Sequence, residues 1–180
     1  MLLCRTVSGS PCLLVLVVLS IAHVSWSLPA SSQGAVRHRR QYHNDWDQRL
    51  TRYCDDGDGI YLIESEHDNG REDRRWRLEC RNVVQNSPQT CSWTSYVNNF
   101  DEPILFMCGR DEYLRGVDSY HDDGYEDRRW RFYCCHSPGY TTKSCEITDY
   151  VNSWDEPMNF QARIGTVITG AFSYHNDGTE

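Results

Sequence analysis

Across residues 72–80 the chain alternates between two kinds of side chain. Arg74, Trp76, Leu78 and Cys80 fall on one side of an extended backbone, and Asp73, Arg75, Arg77 and Glu79 on the other. The period of two returns further along, where Trp130, Phe132 and Cys134 oppose Asp127, Arg129 and Arg131. Large apolar groups on one face alone predict half-buried β-strands. Residues 60–65, 114–119 and 167–173 predict further strands. The Asp/Asn-Gly pairs between strands are turn formers that tolerate a positive φ. Pro103 and Pro157 suit a loop or a sheet edge. No stretch beyond residue 40 keeps a 3.6-residue period for three turns, so the expected fold class is all-β.

The pattern repeats at an offset of 54 residues. Asp47, Asp101 and Asp155 hold that spacing, as do His67, His121 and His175. Cys54 matches Cys108, Asp73 matches Asp127, Trp76 matches Trp130, Cys80 matches Cys134 and Cys91 matches Cys145. The units run over 44–97, 98–151 and an incomplete 152–180, which lacks the Asp-Arg-Arg-Trp stretch of the other two. Each opens with Asn-x-(Trp/Phe)-Asp and reaches a Ser-x-His-Asp/Asn turn. Three copies of about four short strands each predict a tandem-repeat fold with a pseudo-threefold arrangement. It is read as β-prism-like with one sheet per unit, a β-trefoil being the alternative.

The first 40 residues have a different character. Arg5 precedes an apolar run over residues 13–21, and small residues follow near Ser25 and Ser27. That reads as a signal peptide over 1–27, since the run is too short to span a membrane comfortably. On this reading Cys4 and Cys12 leave with the leader. Residues 28–40 read as a linker or propeptide ending in Arg37-His38-Arg39-Arg40, a basic processing site or else a basic surface loop. What remains, 41–180, carries 14 basic and 26 acidic residues, a formal charge of −12. Such a surface repels phosphate backbones, so nucleic acid is not an expected partner, and no transmembrane segment is expected. Seven cysteines on a secretory route argue for disulfides over metal ligation.

The run Glu126-Asp127-Arg128-Arg129-Trp130-Arg131-Phe132-Tyr133-Cys134-Cys135, with the Asn-x-Trp-Asp openings, resembles the dermatopontin family, and within it the hemagglutinin/amebocyte aggregation factor type. The resemblance covers residues 42–180. It implies a secreted, non-enzymatic adhesion or agglutination protein that binds cell-surface or matrix glycans, with a matrix organiser that binds collagen and proteoglycan as the alternative and a secreted cytotoxin after that. It also implies the disulfides Cys54–Cys80, Cys108–Cys134 and Cys91–Cys135. Cys145 is then left unpaired, open to a disulfide-linked homodimer.

Two motifs stand out as candidate ligand contacts. Arg75 and Arg129 could give paired hydrogen bonds to a sulfate or carboxylate. The alternative is packing within the fold, with Trp76 and Trp130 in the core and Arg74 and Arg128 on rings or aspartates. The turns offer His67, Asp68 and Asn69, and His121, Asp122 and Asp123, as loop-tip groups for a sugar, against plain turn chemistry as the alternative. Repetition favours binding, because several weak sites on one molecule give avidity. The acidic run Asp55-Asp56-Gly57-Asp58-Gly59 lacks EF-hand spacing, and no His-x-x-x-His pair supports zinc, so no metal or cofactor is expected. No nucleophile elbow or phosphate loop is present, and the protein is read as not an enzyme.

Overall fold

In the computed structural model, residues 1–7, 41–84 and 88–175 are described. The processing-site cluster and most of the leader lie outside them. The described residues form eleven strands and no helix. In chain order these are β1 (Leu2–Val7), β2 (Leu50–Tyr53), β3 (Asp58–Asp68), β4 (Asp73–Asn82), β5 (Thr90–Trp93), β6 (Ile104–Met107), β7 (Glu112–Asp122), β8 (Asp127–His136), β9 (Thr141–Ile147), β10 (Met158–Gln161) and β11 (Thr166–Ser173). Both prolines singled out above sit immediately before short strands, β6 and β10.

The alternating segments become two long antiparallel hairpins, β3–β4 and β7–β8, in the same register. Ser65 faces Trp76 and Ser119 faces Trp130. Each carries a bulge at equivalent positions, Ile60/Leu62 and Leu114/Gly116. Three sheets result, in the orders β10-β3-β4, β2-β7-β8-β5 and β6-β11-β1-β9.

These sheets are not one per unit. β2, from the first 54-residue unit, pairs with β7 of the second. β6 of the second pairs with β11 of the third, and β10 of the third pairs with β3 of the first. The cause is edge chemistry. A hairpin leaves a row of unpaired N–H and C=O groups, and a short strand from another unit covers it. The close approach demands glycine at Gly116, where a Cβ would lie 2.7 Å from the Tyr53 Cβ. Gly170 stands in the same position against β6.

The inward faces share one core, with Leu50, Ile60, Leu78, Leu114 and Ile168 at 2% exposure or less. Trp76 and Trp130 meet edge to face, ring centroids 4.9 Å apart. Cys54–Cys80, Cys91–Cys135 and Cys108–Cys134 are bonded.

Cys145 corrects the sequence reading. It is not free but bonded to Cys4, within the same chain. The reason is the position of β1 between β9 and β11, with Cys4 opposite Val167 as Cys135 is opposite Tyr113. Leu3 fills the place of Cys134 and packs in the core with Ala162, which stands where Cys108 stands one unit earlier. The Thr148 N–H donates to Met1 O as the Thr94 N–H donates to Phe132 O. No thiol of Cys145 is left for the expected disulfide-linked homodimer. A cut after residue 27 and this bond exclude each other in one molecule, because the cut removes Cys4.

A buried carboxylate ties β2 to β7 and β8. Asp118, 1% exposed, accepts hydrogen bonds from Arg49 Nε (2.8 Å), Thr51 Oγ1 (2.6 Å) and Arg131 Nε (2.8 Å). Burial pushes its pKa up, but these donors outweigh it and hold the value down to about 2. The folded value lies below the unfolded one, near 3.9, so the stabilisation is present above pH ~4 and lost as pH falls through about 2.

Two outcomes follow. Cys4→Ser in the full chain adds one alkylatable thiol, at Cys145, and lowers stability by up to about 4–5 kcal/mol in urea unfolding. Asp118→Asn costs about 2 kcal/mol at pH 7 and flattens the loss of stability between pH ~4 and ~2 in acid titrations followed by tryptophan fluorescence.

Candidate functional site

The turns joining the long hairpins set the polar surface. In the first, Asp68 Oδ1 accepts the Gly70 N–H at 3.1 Å, and the Arg71 N–H donates to Asp68 O at 3.1 Å. In the second, Asp122 Oδ1 accepts the Gly124 N–H at 3.0 Å and Asp122 O the Tyr125 N–H at 3.1 Å. Glu72 and Glu126 close these turns at φ 43° and 49°. Asp68 and Asp122 therefore carry out turn chemistry. Asn69 and Asp123 stand exposed at the tips.

The histidines are not at the loop tips. The His67 and His121 side chains are 9% and 2% exposed and face inward, each toward an aspartate of another unit. His67 Nδ1 lies 3.5 Å from Asp155 Oδ1, His121 Nδ1 3.8 Å from Asp47 Oδ1, and His175 Nε2 3.7 Å from Asp101 Oδ1. Asp47, Asp101 and Asp155 all adopt a left-handed backbone, φ 59°, 60° and 53°. Asp tolerates this conformation better than most residues, which explains its place at the end of each Asn-x-aromatic-Asp opening.

Arg75 and Arg129 are already engaged. Arg75 lies over the rings of Tyr42 and Trp46, 4.7 and 4.5 Å from the centroids, and donates to Glu66. Arg129 lies over Tyr96 and Phe100, at 5.1 and 5.9 Å, and donates to Asn98 O. Each guanidinium sits in a cage between the aromatic residue of its own unit's opening motif and a tyrosine two residues ahead of that motif. The preceding arginines point inward. Arg128 grips Asp73 with two hydrogen bonds of 2.6 and 2.7 Å, both side chains 5% exposed or less. Burial would raise the Asp73 carboxyl, but Arg128 holds it below the ordinary carboxylate range. Asp127, its counterpart one unit on, has no arginine on it among the described residues, and burial leaves its pKa raised.

Two concavities result. A polar cleft brings together Asp47, Asp68, Gly70, Arg71, His121, Asp123 and Glu126. Three of the residues picked from sequence, Asp68, His121 and Asp123, thus share one site, while Arg75 and Arg129 do not join it. Asp47 and Arg71 went unselected in the sequence, although the 54-residue recurrence of Asp47 was visible there. Within the cleft Arg71 donates to Asp47 Oδ2 at 3.0 Å and His121 Nδ1 lies 3.2 Å from Asp123 Oδ1. Asp47 Oδ1 and His121 Nε2 are buried without a hydrogen-bond partner among the described residues. The groups the cleft offers to a ligand are its exposed ones, the Arg71 guanidinium and the Asp123 carboxylate, a donor and an acceptor that suit a hydroxyl-rich ligand. Asp47, Asp73 and His121 could in principle hold a cation, but the Arg128 guanidinium on Asp73 already supplies positive charge there.

The second concavity, of about 540 Å³, is apolar in its depth, walled by Trp76, Trp130, Leu78 and Phe132. Its mouth carries Tyr150, Asn152, Trp154 and Tyr174. Arg128 Nη1 and Trp76 Nε1, also in its lining residues, are buried without a hydrogen-bond partner among the described residues.

The family model for dermatopontin matches residues 44–180. The chain belongs to the dermatopontin family. It is 40% identical over 139 residues to the hemagglutinin/amebocyte aggregation factor of Limulus polyphemus, covering 76% of this chain and 80% of that protein. It is 37% identical over 123 residues to the dermatopontin of Biomphalaria glabrata, covering 68% and 82%. Millepora cytotoxin-1 of Millepora dichotoma is 32% identical over 134 residues, covering 74% and 60%. No solved structure matches. Family membership spans both hairpins and the three Asn-x-aromatic-Asp openings, so the cages and the inward histidines lie within the matched region.

The Asp73–Arg128 pair makes a sharp test of this electrostatic account. Asp73→Asn strands a buried guanidinium and costs about 3–5 kcal/mol in urea unfolding. Asp127→Asn, at the equivalent position without an arginine, costs less than about 1 kcal/mol.

Proposed function

We propose that this protein is a secreted, non-enzymatic adhesion or agglutination protein that binds cell-surface or matrix glycans at several points. The observation that carries the reading is the polar cleft, in which the exposed Arg71 and Asp123 side chains stand with Asp47, Asp68 and His121. Carboxylates and a guanidinium in a cleft match the donors and acceptors of a sugar's hydroxyls. Family membership and the aggregation-factor relative support an adhesive role. The three disulfides beyond residue 40 support an oxidising, extracellular address.

Multivalence enters through the arrangement of the units. We read them as a prism-like, pseudo-threefold assembly, in which the His67–Asp155, His121–Asp47 and His175–Asp101 pairs mark three related clefts. Linked weak sites gain avidity whenever the target surface presents its ligand repeatedly. A leader over residues 1–27 belongs to this reading. Its removal would take β1 out of the third sheet and free Cys145, and the N-terminal mass of the secreted protein reports which form leaves the cell.

The test is red-cell agglutination by the full chain, with simple and sulfated sugars as competitors. Arg71→Ala with Asp123→Ala, whose side chains are exposed and take no part in the turn hydrogen bonds, lowers the agglutination titre at least tenfold while the unfolding curve stays in place. An unchanged titre, or agglutination that no sugar competes with, overturns the reading. Altered collagen fibril assembly without agglutination would favour the matrix-organising role instead.

A further inference from the structure

The outer faces of the two long hairpins use the same positions for opposite charge. On the first, Arg75 and Arg77 alternate along β4 and each meets two carboxylates. Arg75 pairs with Glu66 and lies 3.8 Å from Asp45, and Arg77 pairs with Glu64 at 2.5 Å and with Glu79. On the second, Arg129 and Arg131 hold the same places on β8, 54 residues on. Tyr120 stands where Glu66 does, Tyr133 where Glu79 does and Asn99 where Asp45 does. Of the four carboxylate positions only that of Glu64 is kept, as Asp118, and Asp118 is shared with a third arginine, Arg49.

These three arginines converge on Tyr96. Arg129 lies over its ring at 5.1 Å and Arg131 at 5.6 Å, and Arg49 Nη2 donates to its hydroxyl at 3.4 Å. The buried Asp118 carboxylate takes the Nε groups of Arg49 and Arg131, and Arg129 gives its Nε to Asn98 O. Both Nη groups of Arg129 and of Arg131, and Nη1 of Arg49, have no hydrogen-bond acceptor among the described residues. The Arg49 side chain is 53% exposed and that of Arg131 35%, so these donors are open to a ligand. Three guanidiniums less one carboxylate leave two positive charges here, on a chain whose residues 41–180 carry −12.

Aromatic rings line the row. Trp93 stacks on Tyr133 at 4.9 Å and has Arg131 over its ring at 5.1 Å. Phe100 stacks on Tyr125 at 4.7 Å, and Tyr120 meets Tyr96 edge to face at 5.2 Å. Rings and guanidiniums hold one another, so the donors are oriented before a ligand arrives. Successive residues of a strand point to opposite faces, so Tyr120 lies outside where His121 points in. The row shares no residue with the polar cleft.

This chemistry selects a ligand class. A guanidinium takes a carboxylate through two parallel hydrogen bonds. The rings offer apolar surface to the C–H groups of a sugar, and the tyrosine hydroxyls can meet its OH groups. Two positive charges set in an acidic surface also limit the charge density of the partner. Duplex DNA carries one negative charge per ~1.7 Å, and its further phosphates would be repelled by the rest of the chain.

We propose that the outer face of the second hairpin binds an acidic polysaccharide of low charge density through its uronic acid carboxylates. Arg129 and Arg131 take the carboxylate, Arg49 adds to the field, and Trp93, Tyr96 and Tyr120 meet the sugar rings. The site deepens the glycan reading above and rests on it for the class of ligand. The first hairpin takes no part, because its own carboxylates neutralise its arginines.

The experiment is calorimetric titration of the full chain with an unsulfated hexasaccharide of alternating glucuronic acid and N-acetylglucosamine. The hexasaccharide binds, and reducing its carboxyls to alcohols weakens binding at least tenfold. Tyr120→Glu places opposite Arg129 the carboxylate that Glu66 places opposite Arg75, and it weakens binding at least tenfold while the unfolding curve stays in place. Arg71→Ala with Asp123→Ala leaves binding within twofold, so agglutination through the cleft can fail with this binding intact, and the reverse. The proposal is overturned by absence of binding, by indifference to carboxyl reduction or to Tyr120→Glu, by loss of binding in the cleft variant, or by a tenfold preference for a heavily sulfated chain of the same length. The carboxyl-reduced ligand keeps the test independent of any variant that misfolds.

Discussion

In each of the three sheets one inner strand, β3, β7 or β11, depends on a neighbour that its own unit does not supply. β2 covers β7, β6 covers β11 and β10 covers β3, so backbone hydrogen bonds run from the first unit to the second, the second to the third and the third to the first. An uncovered strand edge costs hydrogen bonds and invites pairing with other chains. Closing the cycle removes most of that edge and forces the three inward faces into a single core. No unit can therefore lose its place without exposing apolar and polar groups elsewhere.

That closure explains why two of the residues that look like ligand contacts, His67 and His121, also make contacts between units. The histidines face aspartates of other units, and Arg128 reaches across to Asp73. A buried ion pair is poor value as stabilisation compared with well-packed apolar groups, but it penalises any arrangement that separates its partners. Asp118 acts similarly, joining Arg49 of the first unit to Arg131 of the second. The polar groups left over are the interesting ones, because a buried donor or acceptor without a partner is costly unless something else meets it. Some of them lie in residues lining the two concavities, Asp47, His67, Trp76, His121 and Arg128, and others lie elsewhere, as at Arg52, Tyr113 and Tyr140.

The third sheet departs from the other two in one respect. Its central strand comes from residues near the start of the chain, not from the segment that follows the turn. β1 reproduces the register, the bulge and the cystine of β8, yet reaches only part of the way along β11.

Period-two alternation, turn formers and the 54-residue spacing were enough to read the all-β class, the two long hairpins and the turns between them. Local hydrogen bonding and burial on one face leave a direct trace in residue order. The same signals could not show that β2, β6 and β10 leave their own units, because pairing partners distant in sequence leave no period. Nor could they show that Cys4 reaches Cys145, since an apolar segment beside Arg5 reads as a leader whatever it packs against. Asp68 and His121 were legible as polar turn residues, but whether each faces solvent, its own backbone or another unit is decided by packing. The chain alone thus determined the repeating element, and the tertiary structure decided how the elements complete one another, because only folding brings distant edges and charges within bonding distance.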